Sequence, residues 1–377
     1  MDENTLRFLL ADALTDEPPM GPVARNALRA GIRIRRRRTT GTISGVAAVA
    51  AMIGLFPAVS GLHHSAPAGR PAAHGRFNGM GGHGDSPFEV AFSPNGKILA
   101  TADSDGTARL WNVATQRQIG TAIRLHGPRV SGIAFSPDGK VLATAESDGT
   151  VRLWNVASHR QIGAPIVAGK TGVVDLAFSP DGKRLAISVE GSPAWLWNVS
   201  TRHRVGKPID SQADARFGLF VEFSPNGKLL MTIGFDATIR LWSLSTFREV
   251  GKPIGSHFGG PVNGAAFSPN GKLIGTAGRS YFKIWSVATQ KQVSKNMPVG
   301  RFSASGVGFT ADSKVLVTTD ADGTIAQWGV ATSEQVEPLI APKDHPSFSV
   351  EAVSPDGKLL ATTQVDGPAR LWRLGKP

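Results

Sequence analysis

Few side chains in this sequence have the types and spacing that chemistry demands. The 377 residues contain no cysteine, which excludes a thiol nucleophile, a disulfide and a thiolate metal site. Nine histidines are present, but they fall in turns, in a linker or at one recurring position. The adjacent His63 and His64 lie in a flexible run, a poor frame for a metal. No phosphate-binding glycine loop, nucleophile elbow or pair of catalytic carboxylates occurs. Asp175 and Glu222 stand as isolated acids in otherwise apolar strands, too little to hold a metal. Neither cofactor nor metal is therefore expected. The most regular chemical feature is a cation: Lys97, Lys140, Lys183, Lys228, Lys272, Lys314 and Lys358 recur at the end of one short phrase.

That phrase is Phe92-Ser93-Pro94-Asn95-Gly96-Lys97. It returns from Phe135, Phe178, Phe223 and Phe267, and in degenerate form from Phe309 and Val353. A tryptophan closes each unit, at Trp111, Trp154, Trp197, Trp242, Trp285, Trp328 and Trp372, spaced by 43, 43, 45, 43, 43 and 44 residues. So constant a period marks a repeat architecture. Within a unit, Val130–Phe135 reads as a first strand and Pro137-Asp138-Gly139 as a tight turn. Val141–Thr144 reads as a second strand, and Asp148-Gly149 as a hairpin turn. Thr150–Trp154 is the third strand and Gln161–Ile166 the fourth. Four antiparallel strands in 40–45 residues predict one propeller blade, and seven units predict an all-β, seven-bladed β-propeller of four-stranded antiparallel blades.

The pattern resembles the WD-repeat (Trp-Asp repeat) family over residues 75–377, in a bacterial membrane-anchored form. The resemblance implies a hydrogen-bonded set in each blade: the Trp, a Ser or Thr of the second strand, a His before the first strand and an Asp of the hairpin turn. Trp154, Thr144, His126 and Asp148 match it in blade two, and Trp111, Thr101, His83 and Asp105 in blade one. The other blades keep the Trp and the hydroxyl (Ser188, Thr232, Thr276, Thr318, Thr362) but not the whole set. The residue after the Trp is Asn, Ser, Gly or Arg, never Asp. The last unit ends five residues after Trp372, so Arg76–Met80 is expected to supply its fourth strand and close the ring.

Such a ring has two faces. The turns after strands one and three share one, which carries the seven lysines with Arg117, Arg160, Arg202, Arg204, Arg248 and Lys291. The whole chain has a net charge of +12, and most of the propeller's excess falls on this face. Contact with an anionic membrane or wall polymer is one expectation for these lysines; a solvated turn-exit cation multiplied by duplication is the other. The opposite face varies between repeats and offers Arg129, Phe235, Phe258, Arg279, Phe302 and Phe348 as candidate protein-binding residues. About half of those Phe residues are expected to pack between blades instead. No nucleic acid is expected, because the basic face lacks stacking aromatics.

Residues 1–38 form a basic tail ending in Arg33 and Arg35–Arg38, followed by the uncharged run Thr39–Leu62. The run is about long enough to span a bilayer, and the arginines place the tail in the cytoplasm. It is read as one transmembrane helix acting as a signal-anchor; cleavage near Ser60, with secretion, is the alternative. Residues 63–74 are a linker and 75–377 the propeller. The expected function is a non-enzymatic scaffold for protein–protein or wall-component interaction on the outer side of the membrane. A small-ligand sensor and a propeller hydrolase or lyase are the alternatives.

Overall fold

Apolar runs broken by Gly, Pro and Asx make short antiparallel strands, because each break supplies a turn that the flanking β-formers cannot. The computed structural model describes residues 87–377 apart from 104, 127–129, 210–219, 235, 237, 256–261, 300–303, 322, 338–347, 365–366 and 375–377. The expectations for residues 1–86, including the membrane helix, the linker, His83 and the closing strand Arg76–Met80, lie outside the described residues.

Blade one contains β1 (Pro87–Phe92), β2 (Ile98–Asp103), β3 (Thr107–Asn112) and β4 (Gln118–Arg124). Blade two contains β5 (Val130–Phe135), β6 (Val141–Glu146), β7 (Thr150–Asn155) and β8 (Ile166–Val167). Blade three contains β9 (Val173–Phe178), β10 (Arg184–Val189), β11 (Ala194–Asn198) and β12 (Arg204–Ile209). Blade four has β13 (Phe220–Phe223), β14 (Leu229–Ile233) and β15 (Ile239–Ser243). Blade five has β16 (Gly264–Phe267), β17 (Leu273–Ala277), β18 (Tyr281–Ser286) and β19 (Met297–Pro298). Blade six has β20 (Ala304–Phe309), β21 (Val315–Asp320) and β22 (Ile325–Gly329), and blade seven has β23 (Phe348–Val353), β24 (Leu359–Gln364) and β25 (Gly367–Arg373).

Within each blade the strands pair antiparallel in sequence order. First strands pack on first strands around the ring, β1 on β5, β5 on β9, β9 on β13, β16 on β20 and β20 on β23, and β23 returns to β1. The seven-bladed ring read from the sequence is thus present. Its buried apolar residues fall into seven groups, one at each blade junction. The junction that closes the ring joins Val90, Leu99 and Trp111 to Ala361, Ala369 and Leu371. Cores shared between neighbours, not held within one blade, make the ring a solenoid bent onto itself.

The fourth strands depart from the expected regularity. Blade two keeps only β8 and an isolated bridge from Trp154 to Gln161 where Gln161–Ile166 was expected to pair throughout. In blade four the ladder is likewise reduced to bridges at Glu249 and Ile254. The Gly and Pro of these segments do not account for the break, since Gly206 at φ 75° and Pro208 lie within the continuous strand β12 of blade three.

Inside each blade the Trp indole ties the third strand to the second. Trp111, Trp154, Trp242, Trp285, Trp328 and Trp372 donate through Nε1 to Thr101, Thr144, Thr232, Thr276, Thr318 and Thr362 at 2.9–3.0 Å. Blade three differs. Its Ser188 hydroxyl turns to the Asp175 carbonyl at 3.4 Å, and the buried Trp197 Nε1 has no acceptor. A β-branched Thr is fixed about χ1 where a Ser is not.

The repeated phrase is a second device. The Ser93 hydroxyl donates to Asn95 Oδ1 at 2.9 Å and accepts the Ile98 N–H, while Asn95 Oδ1 also accepts the Lys97 N–H. The same three bonds recur in all seven blades, with Thr310 replacing the Ser in blade six. A closed polar turn explains why the Ser is buried although it is hydrophilic.

A third device links blades. In the turn after each third strand of blades one to six, one non-glycine residue takes a left-handed conformation: Gln116, His159, Arg202, Phe247, Gln290 and Ser333, with φ between 55° and 59°. From blade two onward these residues reach back to the preceding blade. His159 Nδ1 meets the Thr121 carbonyl at 2.7 Å, Arg202 donates to the Ile162 carbonyl at 2.8 Å, and Gln290 bonds both the Val250 carbonyl and the Lys252 N–H. Their sockets are Gly120, Gly163, Gly206 and Gly251, where an added Cβ would lie within 2.6 Å of the incoming side chain. In blade five the socket is Ser294, and the incoming residue shrinks to Ser333, whose hydroxyl accepts the Lys295 N–H at 3.1 Å.

Two outcomes follow for equilibrium unfolding in urea. Thr144→Val strands a buried indole N–H and costs about 1–3 kcal/mol, whereas Ser188→Ala costs clearly less because Ser188 accepts nothing from Trp197. Gly206→Ala and Gly191→Ala both place a Cβ at positive φ, a strain of roughly 1–2 kcal/mol. Only the former also meets Phe247, 2.1 Å from the added atom, so it is the more damaging of the two.

Candidate functional site

Three surfaces are available to a partner: the inner wall of the ring, the face bearing the turns after strands one and three, and the face bearing the hairpins after strand two.

The inner wall is made of first strands, each with one edge unpaired within its own blade. Side chains of one blade cover that edge in the next. Ser131 donates to the Val173 carbonyl, Asp175 Oδ2 accepts the Val221 N–H at 2.9 Å, Glu222 accepts the Phe267 N–H at 3.3 Å, and Asn263 donates to the Ala304 carbonyl at 2.8 Å. Asp175 and Glu222 are therefore not isolated, as the sequence suggested; they bridge blades three to four and four to five. Burial pushes the Asp175 carboxyl up to about 7, against the pull of the Val221 and Leu176 N–H groups. Burial pushes Glu222 up to about 8, opposed by the Phe267 N–H and aided by the charge of Asp175. Burial and then the same Asp175 charge hold Glu89 well above the carboxylate range. No group of three metal-ligating side chains occurs among the described residues.

Blade two holds a second buried charge, which changes the role expected for His126 and Asp148. Glu146 is fully buried and takes the place of the histidine. It accepts from Arg152 Nη1 at 2.6 Å, from the His126 backbone N–H at 3.1 Å and from the Thr144 hydroxyl at 3.4 Å. The His126 side chain is exposed. Asp148 instead accepts the N–H and hydroxyl of Thr150 and pairs with Arg152. A carboxylate held by a guanidinium meets the burial cost that an imidazole there would not incur. Asp105 and Asp236 grip their hairpins likewise, pairing with Arg109 at 2.9 Å and Arg240 at 2.6 Å. Trp195, a second tryptophan on β11, packs against the core between blades two and three, with the Arg204 guanidinium 4.5 Å from its ring centre.

The turn face is as regular as the sequence implied. Val113, Val156, Val199, Leu244, Val287, Val330 and Leu374 donate their N–H to the carbonyls of Lys97, Lys140, Lys183, Lys228, Lys272, Lys314 and Lys358 at 2.8–3.0 Å. The two turns of each blade are thereby locked side by side, and all seven lysine side chains are exposed. Their charge is unevenly offset. In blades two, three and six an Asp precedes the Gly or Ser of the turn, and its carboxyl is held below its usual range by the Ser or Thr hydroxyl and the Lys N–H. Asp356 is lowered as well: burial raises it, but the Ser354 hydroxyl and the N–H and charge of Lys358 together outweigh that. Blades one, four and five carry neutral Asn95, Asn226 and Asn270 instead.

On the hairpin face, Arg129, Phe235, Phe258 and Phe302 lie outside the described residues, and Phe348 is placed only by its backbone, in β23. Arg279 is exposed in the hairpin between β17 and β18. Beside it Tyr281 is 43% exposed, and Phe220, at the start of β13, is 51% exposed. Neither was among the residues the sequence singled out, because a ring at the head of an apolar strand reads as core.

The carboxyls of the inner wall generate a pH signature. Their folded-state values lie above the ordinary 3.8 and 4.5, so the folded ring prefers them protonated. Their stabilising contribution is complete below the ordinary values and is lost as pH rises through about 7 and 8. The melting temperature is expected to fall across that interval. Asp175→Asn with Glu222→Gln, which keep an acceptor for each N–H, flatten the fall; an unchanged slope refutes the assignment.

The family model described as "WD domain, G-beta repeat" matches residues 77–112, 117–155, 219–243 and 250–286. No curated protein matches the chain. Four matched repeats in a ring of seven blades, six of them carrying the Trp–Thr bond, make this chain a member of the WD-repeat β-propeller family.

Proposed function

We propose that this propeller is a non-enzymatic scaffold that binds another protein through its hairpin face, on the outer side of the cell membrane. WD-repeat propellers are in general protein-interaction scaffolds. The observation that carries the reading here is apolar exposure on the variable face. Phe220 and Tyr281 are large rings exposed by 51% and 43%, and Val167 at the end of β8 is 68% exposed. Arg279 stands next to Tyr281 in sequence and is exposed too. Aromatic and Arg side chains on a rigid rim are the groups that dominate protein contacts. Tyr281 opens β18, which the Trp285–Thr276 bond ties to β17, and Phe220 opens β13, paired with Ile233 of β14, so little ordering is lost on binding.

Location is read from the sequence before the ring. The arginine cluster at residues 33–38 ahead of the uncharged run 39–62 supports a single membrane anchor with the propeller outside.

The test is mild crosslinking of the full-length chain in membranes, with identification of what is retained. The partner expected is lost when Phe220, Arg279 and Tyr281 are changed together to Ala, by at least about thirtyfold if one of them is an anchor of roughly 2 kcal/mol. It is kept when Lys97 and Lys140 on the opposite face are changed to Ala. Equal retention by both variants, each with a native melting temperature, overturns the hairpin face as the binding surface.

A further inference from the structure

The turn face is not uniform, and its asymmetry points to a second contact. At the outer rim of blades four and five two segments follow the same pattern, Arg248-Glu249-Val250-Gly251-Lys252 and Lys291-Gln292-Val293-Ser294-Lys295. The basic residues Arg248, Lys252, Lys291 and Lys295 are all exposed. Val250 and Val293 between them are 38% and 56% exposed. The one acid, Glu249, is paired with Arg240 Nε at 3.6 Å. Inward from this rim lie Lys228 and Lys272, in the two adjacent blades whose turns carry Asn226 and Asn270 in place of Asp. The pattern stops at blade six, where Glu334 and Glu337 flank the exposed Val336.

The two segments are held in fixed relation. Gln290, in its left-handed turn, accepts the Lys252 N–H at 2.7 Å and donates to the Val250 carbonyl at 2.5 Å. Ser333 then fixes Lys295 from blade six. The result is a preformed strip of six cations with two apolar side chains set among them.

We propose that this strip seats the propeller on a bilayer of anionic lipid, the lysines and arginines meeting headgroup charge and the valines entering the headgroup layer. The chemistry fits a flat anionic surface better than a folded acidic protein. Cations interspersed with small, exposed apolar groups gain from both headgroup charge and the acyl boundary. The inference rests on the reading that the ring stands close to a membrane, and it supplies the orientation which that reading leaves open.

Lysine acylation read by mass spectrometry distinguishes the two. The full-length chain is mixed with vesicles of phosphatidylcholine, and with vesicles in which part of it is replaced by phosphatidylglycerol. On the anionic vesicles Lys252, Lys291 and Lys295 are expected to label at least about fivefold more slowly, the factor for one headgroup contact per cation. Lys170, before β9 on the hairpin face, keeps its rate. The protection fades at about 0.5 M salt, where charges are screened within a few ångström. Lys252→Glu with Lys295→Glu removes the protection of Lys291. Arg117→Glu with Arg160→Glu, at the equivalent turns of blades one and two, leaves it intact. Equal labelling of Lys291 on the two kinds of vesicle, or protection spread evenly over all lysines, overturns the proposal. Flotation with neutral vesicles reports the anchor separately: its failure would sink the anchor alone, since labelling on anionic vesicles still reads the strip.

Discussion

Each blade of this ring begins with a strand that has no partner on its inner edge, and most of the structure can be understood as the handling of that edge. Unsatisfied backbone N–H and C=O groups away from bulk water are costly, and an exposed edge invites pairing with another chain. Here the preceding blade supplies the missing partners from its side chains, through Ser131, Asp175, Glu222 and Asn263. Two of the four are carboxylates, and their placement on the inner wall is what burial acts upon. An ionisable group is thus retained for the sake of a backbone N–H one blade away. Its raised affinity for protons follows from where it must sit.

At the outer perimeter the direction of contact reverses. Left-handed residues of one blade reach back to the blade before it, while the inner side chains reach forward. Neighbouring blades therefore clasp each other in opposite senses at the two radii, with a shared apolar core between. Trp–Thr ties, polar turns and clasps all lie in the body of the blades or on the turn face, and the hairpins opposite keep local Asp–Thr and Asp–Arg bonds in blades one, two and four, while blade five has Arg279 in place of the Asp. Phe220, Arg279 and Tyr281 stand exposed on this frame.

The fold was legible because its devices are local. A Ser, an Asx and a Gly within five residues make the same closed turn wherever they occur, and the recurring Trp counts the blades. The Asn that replaces the family's Asp after the Trp is equally local. Asn155 Oδ1 accepts the N–H groups of Ala157 and Ser158 and so caps the turn. What escaped the sequence was long-range. Nothing near Asp175 or Glu222 announces an N–H some 45 residues further on, and nothing near Glu146 announces that it displaces a histidine. Ser188 looked equivalent to six threonines, yet the missing methyl group left Trp197 without its acceptor. The basic strip of blades four and five was hidden by the periodicity itself, since seven equal lysines draw attention from the three turns where the balancing acid is absent.

The rim clasps also bear on how such a ring changes over generations. Every blade from two to six brings a plug for the unit before it, and blades one to five each present the socket that receives one. A tandem copy inserted into the array would arrive with both parts already matched. The plug has drifted freely among His, Arg, Phe and Gln while the socket stayed Gly, because the contact is with bare backbone and asks only for reach. Where the socket became Ser294, the plug became Ser333, a compensation between positions almost one repeat apart. Paired substitution of this kind is the trace that descent from a single duplicated unit would leave in an alignment of the repeats against one another.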